Sequence, residues 1–171
     1  MSQIFLRELS ESDITDDYLF WFRDDDVTKF LEVDGKSLTK EKVVNYIREG
    51  KSTGTYFMYA ICLSESKQHI GNLKIGPINK KHNISDLVTV IWNKKYWGKG
   101  FATEAIRMGI RLAFEKYGIR KLSASIHSDN IGSIKSYTEA GFFIEGKLKN
   151  HYYVDGKYCD LIMVSCFNLA L

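Results

Sequence analysis

The sequence predicts an α/β (α+β) fold, one domain over residues 1–171, with its elements in the order β-α-α-β-β-β-α-β-α-β-β. Three observations carry this. An apolar, strand-like run, Leu87 to Trp92, passes through a junction holding Gly98 and Gly100 into a helix-like segment, Ala102 to Tyr117. Two further strand-like runs, Thr55–Leu63 and His69–Ile78, precede the one at Ile84–Trp92. The chain closes as a hairpin, Phe142 to Tyr153 and Tyr158 to Leu169, about a turn at Asp155-Gly156. No internal repeat, low-complexity tract or linker interrupts the pattern, and 171 residues suffice for one sizeable core.

Gln3 to Leu9 alternates as a first strand. Ser10 and Ser12 offer N-caps for a helix through Leu19-Phe20-Trp21-Phe22, and Arg23-Asp24-Asp25-Asp26 breaks it. Thr39 opens a second, short helix, with Lys42 where a capping-box glutamate would sit, so half of that motif is present. Gly71, Gly76 and Pro77, the only proline, mark bends or an edge within the His69–Ile78 strand. Gly118 ends the long helix as a C′ residue. A β-rich run, Lys121 to His127, and a short helix, Ile131 to Ala140, stopped by Gly141, lead into the hairpin.

Composition narrows the function classes. An apolar fraction of 44% and a charged fraction of 26% belong to soluble globular chains. No stretch approaches the ~18 apolar residues of a membrane span, so no membrane partner is expected. Met1 to Glu8 lacks the basic-then-apolar pattern of a secretion signal, and the cytoplasm is the expected compartment. Cys62, Cys159 and Cys166 are widely spaced within apolar segments, as reduced core thiols are. His69, His82, His127 and His151 lack metal-ligand spacing, and no metal is expected. A net charge of +3, with acids and bases intermixed, does not argue for nucleic acid and is compatible with one polyanionic small molecule.

The glycine junction is suited to phosphate. Gly98 and Gly100 permit positive φ and close approach, and the first N–H groups of the following helix lack intrahelical partners. Lys94, Lys95 and Lys99 add positive charge. The plainer alternative is a glycine-containing turn flanked by solvated lysines.

Three ordered motifs extend this reading. The run Lys95-Tyr96-Trp97-Gly98-Lys99-Gly100, followed by Phe101-Ala102-Thr103-Glu104-Ala105, resembles the phosphate-loop motif R/Q-x-x-G-x-G/A of the GNAT superfamily of acetyl-CoA-dependent N-acetyltransferases, with Lys95 in place of Arg or Gln. Asn130, Ser133, Tyr137, Gly141 and Phe142 match N-x-x-S-x-x-x-Y-x-x-x-G-F. Glu145-Gly146, Asp155-Gly156-Lys157-Tyr158-x-Asp160, Ile70-Gly71-Asn72 and Gly76-Pro77-Ile78 look like the RimJ/RimL-like branch, which is similar also to polyamine and sugar-amine acetyltransferases. The resemblance covers nearly the whole chain. It implies a mixed, mostly antiparallel sheet of about seven strands with helices on both faces, and acetyl-CoA as acetyl donor. The cofactor-binding residues it implies are Ile91, Trp92, Lys95, Trp97, Gly98, Lys99, Gly100, Phe101, Ala102, Thr103, Asn130 and Ser133.

The same resemblance implies roles in catalysis by direct attack in a ternary complex. A lysine-like amine has a pKa of about 10.4 and must lose a proton before attacking a thioester. Asp86 is the nearest match to the acidic position of the fourth strand, subject to register; His127 on the fifth strand, or a water relay, are alternatives. A backbone N–H near Ile91 or Trp92 would face the developing oxyanion. Tyr137 would donate a proton to the departing thiolate, or else only cover the core. Asn130 is the expected N-cap of its helix, with Ser133 in the first turn, and the resemblance implies that the asparagine also touches the pantetheine arm.

The acceptor pocket is expected from the first two helices, their loop and the C-terminal hairpin. Trp21, Asp26, Phe30, Glu32 and Tyr152 are its candidate residues, within an acidic and aromatic neighbourhood that also holds Asp24, Asp25, Asp34, His151 and Tyr153. Three acceptor classes fit: a polyamine, an amino sugar, or a protein N-terminal amine, with a small molecule favoured. A non-catalytic acyl-CoA-binding module is the alternative of another class. A homodimer through the aromatic hairpin is compatible with the sequence.

Overall fold

Strand β4 (Ile84–Ile91) divides two cores by simple alternation. Leu87 and Ile91 pack on one face, with helices α4 (Phe101–Tyr117) and α5 (Ile131–Ala140). Val90 and the following Trp92 pack on the other, with α1 (Asp16–Trp21), α2 (Asp25–Thr28) and α3 (Lys40–Thr53). The computed structural model describes residues 2–154 and 156–169.

The sheet also contains β1 (Ile4–Glu8), β2 (Phe57–Leu63), β3 (His69–Asn79), β5 (Lys121–His127), β6 (Phe143–Val154) and β7 (Lys157–Phe167). Its seven strands run in the order β1-β2-β3-β4-β5-β7-β6. Every pairing is antiparallel except β4 with β5, the pair that α4 connects as a crossover. That parallel pairing holds only Ile84↔Lys121, Ser85↔Leu122 and Asp86↔Ser123. Beyond Asp86 the two strands part. On its other side β4 stays bound to β3 as far as Gly71↔Ile91. A Cβ at Gly71 would lie 2.3 Å from the Val90 carbonyl oxygen, so only glycine permits this approach.

The N-terminal helices differ from the expectation. Ser10 leads only a 3-10 turn, Glu11–Asp13, because Asp13 folds back onto Arg7 and onto the Ser10 N–H. Thr15 is the cap of α1, its hydroxyl accepting from Tyr18 N at 3.2 Å. The first helix does break before Asp24, as expected, and the aspartates of 24–26 then start another. Asp24 accepts from Asp26 N at 3.0 Å, and carboxylates suit the first turn. Thr39 caps α3 as expected, but that helix runs 14 residues to Gly54, whose φ is +63°. Strand β2 begins at Phe57 rather than Thr55, and β7 ends at Phe167. In the hairpin turn Gly156 has φ +78°; Asp155 lies outside the described residues.

One ion pair fixes the entry to the helical wall. Arg7 donates two hydrogen bonds to Asp13, at 2.7 and 2.6 Å, and Ser10 N–H donates a third at 2.8 Å. Burial pushes the Asp13 carboxyl up, yet the Arg7 and Ser10 donors outweigh it and hold the pKa at about 2, against its usual 3.8. A depressed folded-state pKa adds stability above the unfolded value, lost as pH falls through the folded one. The wild-type melting temperature should therefore fall between about pH 4 and about pH 2 more steeply than that of Asp13→Asn, which should be less stable at neutral pH. Parallel scanning-calorimetry series across this range check it; equal slopes would show that Asp13 carries none of the acid sensitivity.

Candidate active site

The parting of β4 from β5 opens a cleft of about 540 Å3 between the two cores. Its inner wall is the freed backbone edge of β4. Trp92 N–H is donated to Ile70 O at 3.1 Å, toward β3, so by alternation the backbone groups of Leu87, Thr89 and Ile91 point the opposite way, into the cleft. Two of their carbonyls are already occupied. Tyr137 Oη donates to Leu87 O at 2.7 Å, and Trp97 Nε1 donates to Ile91 O at 2.6 Å.

This corrects one expectation. Trp92 cannot offer its N–H to the cleft, and its indole is buried in the opposite core among Tyr18, Phe22 and His69. Ile91 N–H does lie on the cleft edge. So does Thr89 N–H, two residues earlier on the same edge.

At the outer end of β4, Asn93 accepts from Lys95 N at 3.2 Å and starts a single turn, Lys94–Tyr96. Gly98 and Gly100 follow with φ of +69° and +82°, and nothing lies within 4 Å of where either Cβ would be. The N–H groups of Phe101, Ala102 and Thr103 begin α4 without intrahelical partners, while Phe101 and Thr103 anchor that turn in the core. Lys95 and Lys99 hold their ammonium groups 4.8 and 5.9 Å from the Tyr96 ring centre. Open glycine positions, unpaired N–H groups and two adjacent cations fit a pyrophosphate. Lys94 departs from this set: Asp24 and Asp26 hold it at 2.9 and 2.6 Å, tying the α1–α2 wall to the glycine turn.

Strand register decides where the ionisable groups face. Asp86 lies on the face of Val88 and Val90, opposite Leu87 and Ile91, and lines the cleft. Its side chain meets water, but the cleft walls partly desolvate it and push its pKa above the usual 3.8, with Lys74 pulling back. Paired with Ser123, Asp86 shares its face with Ser125 and His127 of β5.

His127 is where the acceptor candidates converge. Its ring stacks on Tyr152 at 4.3 Å and 2°, and Phe30 lies 5.5 Å away. Glu32 approaches Nε2 at 3.8 Å, and Cys159 Sγ lies 3.3 Å from Nδ1. Phe30, Glu32 and Tyr152 are thus brought together by a buried histidine. Asp26 lines the cleft but carries Lys94. Trp21 does not line it; α1 is short, and Trp21 packs against the second core with its ring 6.1 Å from Phe20.

Across the cleft, Asn130 caps α5 by accepting from Ser133 N at 3.1 Å. Tyr137 is buried, its ring edge-on to Phe142, and desolvation raises its pKa well above the ordinary phenol range. It stays protonated at neutral pH.

The family model for the acetyltransferase (GNAT) domain matches residues 3–143. The chain belongs to the GNAT acetyltransferase family. As a GNAT N-acetyltransferase it resembles an uncharacterized N-acetyltransferase of Bacillus licheniformis, 24% identical over 92% of this chain and 88% of that one. Over 57% of this chain and 52% of the relative, it is 28% identical to a spermidine N(1)-acetyltransferase of Escherichia coli (strain K12). A spermidine N-acetyltransferase from Vibrio cholerae in complex with CoA and spermine superposes with TM-score 0.87 at 19% identity, covering 98% of this chain and 96% of that one. A ribosomal-protein-S5-alanine acetyltransferase from Vibrio fischeri gives 0.84 at 19%, covering 99% and 95%. Among the described residues, no helix is long and apolar enough to cross a membrane, and no cluster of three or more His, Cys, Asp or Glu could hold a metal ion.

A raised carboxyl pKa carries a stability cost. Because folding disfavours ionised Asp86, its contribution is most favourable below the unfolded value and is lost as pH rises through the folded one. Asp86→Asn should therefore melt higher than wild type at neutral pH and match it near pH 3. A difference of the same size at both pH values would contradict desolvation as its origin.

Proposed function

We propose that this GNAT N-acetyltransferase moves the acetyl group of acetyl-CoA to a primary amine of a small cationic acceptor, a polyamine above all. The carrying observation is the wall at His127, where Phe30, Tyr152 and the exposed carboxylate of Glu32 meet on the face that also bears Asp86. Aromatic faces and an unneutralised carboxylate attract ammonium groups by cation–π contact and charge. The spermidine acetyltransferases among the relatives support the same acceptor class.

Acetyl-CoA supplies the acetyl group already activated as a thioester. The glycine turn and the first N–H groups of α4 would hold its pyrophosphate, with Lys95 and Lys99 alongside. Asn130 and Ser133 would flank its arm. Asp86, its basicity raised by the cleft, would take the ammonium proton directly or through water. The Ile91 N–H would face the oxygen on which charge develops, already fixed by the sheet and so without reorganisation. Tyr137 would give its Oη proton to the departing sulfur.

Thiol release from acetyl-CoA, screened against polyamines, amino sugars and peptides with free N-termini, is expected to be fastest with a polyamine. Fastest release with the peptides would instead identify a protein acceptor. CoA binding without release on any amine would identify a non-catalytic module. Tyr137→Phe should lower kcat at least about tenfold, about 1.4 kcal/mol of barrier, with acetyl-CoA affinity nearly unchanged. Gly100→Val should weaken CoA binding more than about tenfold by calorimetric titration, since the new side chain enters the open approach and strains a left-handed backbone. Full affinity in that variant would move the phosphate site elsewhere.

A further inference from the structure

Among the described residues, the Thr89 hydroxyl is the one buried side-chain polar atom without a hydrogen-bond partner. Leaving such a group unpaired is destabilising, and a valine would occupy the same space without that cost. Its position is informative. Thr89 stands between Leu87 and Ile91 on the freed edge of β4, on the face that carries the core beneath α5, and it lines the cleft with Tyr137. The Tyr137 proton is committed to Leu87 O, two residues earlier on the same edge. That carbonyl can accept from a neutral phenol but can only repel a phenolate. Thr89 acts in the opposite sense: its hydroxyl and its N–H both favour the ionised form of Tyr137, although the hydroxyl makes no hydrogen bond of proper geometry with the neutral phenol.

We propose that Thr89 is a positioning residue for Tyr137, its N–H and hydroxyl receiving the phenolate that forms when Tyr137 gives up its proton. The inference rests on Tyr137 acting as the proton donor. In that step the carbon–sulfur bond breaks with its electron pair staying on sulfur, and sulfur takes the proton from Tyr137 Oη. The phenolate keeps the O–H electron pair and later regains a proton from water, which receives the one released by the acceptor amine. Hydrogen bonds to an ionised oxygen are roughly twice as strong as those between neutral groups. A hydroxyl left unused in the resting state and engaged only when charge appears lowers the barrier and not the ground state. An orphan hydroxyl beside the phenol is the arrangement this requires.

The first measurement uses ligand-free protein. With a fluorinated tyrosine of lowered pKa installed at position 137, fluorine NMR titration should show a phenol about tenfold less acidic in Thr89→Val than with threonine present, and Thr89→Ser should restore it. In the natural protein, Thr89→Val should lower kcat about tenfold with little change in KM, and should have no further effect in the Tyr137→Phe background. Unchanged phenol acidity would overturn the proposal, as would a rate loss of equal size in both backgrounds. A slow Tyr137→Phe beside a fully active Thr89→Val removes Thr89 alone. Full activity in Tyr137→Phe removes the proton donor and, with it, this role for Thr89.

Discussion

The separation of β4 from β5 after Asp86 is the constraint on which the rest of the structure depends. A parallel pair that stayed in register would bury every backbone group between the strands and leave no cleft. Here three pairings suffice to align the strands, and the remaining edge of β4 must find partners elsewhere. Tyr137 and Trp97 supply two of them from α5 and the glycine turn, so the groups that bracket the cleft are also those that make its open edge tolerable. The close approach of β3 at Gly71 keeps β4 from relaxing the other way.

The fold and the glycine turn were legible in the sequence because both are written in local chemistry. Alternating runs named the strands of the sheet, Gly118 and Gly141 ended helices where expected, and the Gly98–Gly100 turn has the positive φ that its spacing implied. The N-terminal segment was harder. Ser10, Ser12 and Thr15 are all competent caps, and the choice among them is made by Arg7, from a neighbouring strand, drawing Asp13 back. The aspartate run marks a real break after α1, and it also opens α2, because carboxylates are favourable in the first turn of a helix.

The acceptor end was only half legible. Residue types pointed to an acidic and aromatic wall, but which of them meet depends on sheet register and on the path of the helical loop. Phe30 and Glu32, from the loop after α2, and Tyr152, from β6, are gathered by His127, whereas Trp21 packs against the second core. Trp92 likewise sits beside Ile91 in sequence and across the sheet from it in space. Adjacent strand positions always differ in this way, and motif spacing does not record it.

The pairing of Lys94 with Asp24 and Asp26 gives the two ends of the cleft a common charge account. That lysine lies on the path into the glycine turn, while its partners lie at the start of α2. Any anion that draws Lys94 toward the turn uncovers two carboxylates there, and any cation settling on those carboxylates releases Lys94 toward the turn. By thermodynamic linkage two such effects would be equal in size, so one lysine ties the glycine turn energetically to the start of α2. Because the pair is solvent-accessible, that coupling fades as added salt shortens the range of its field.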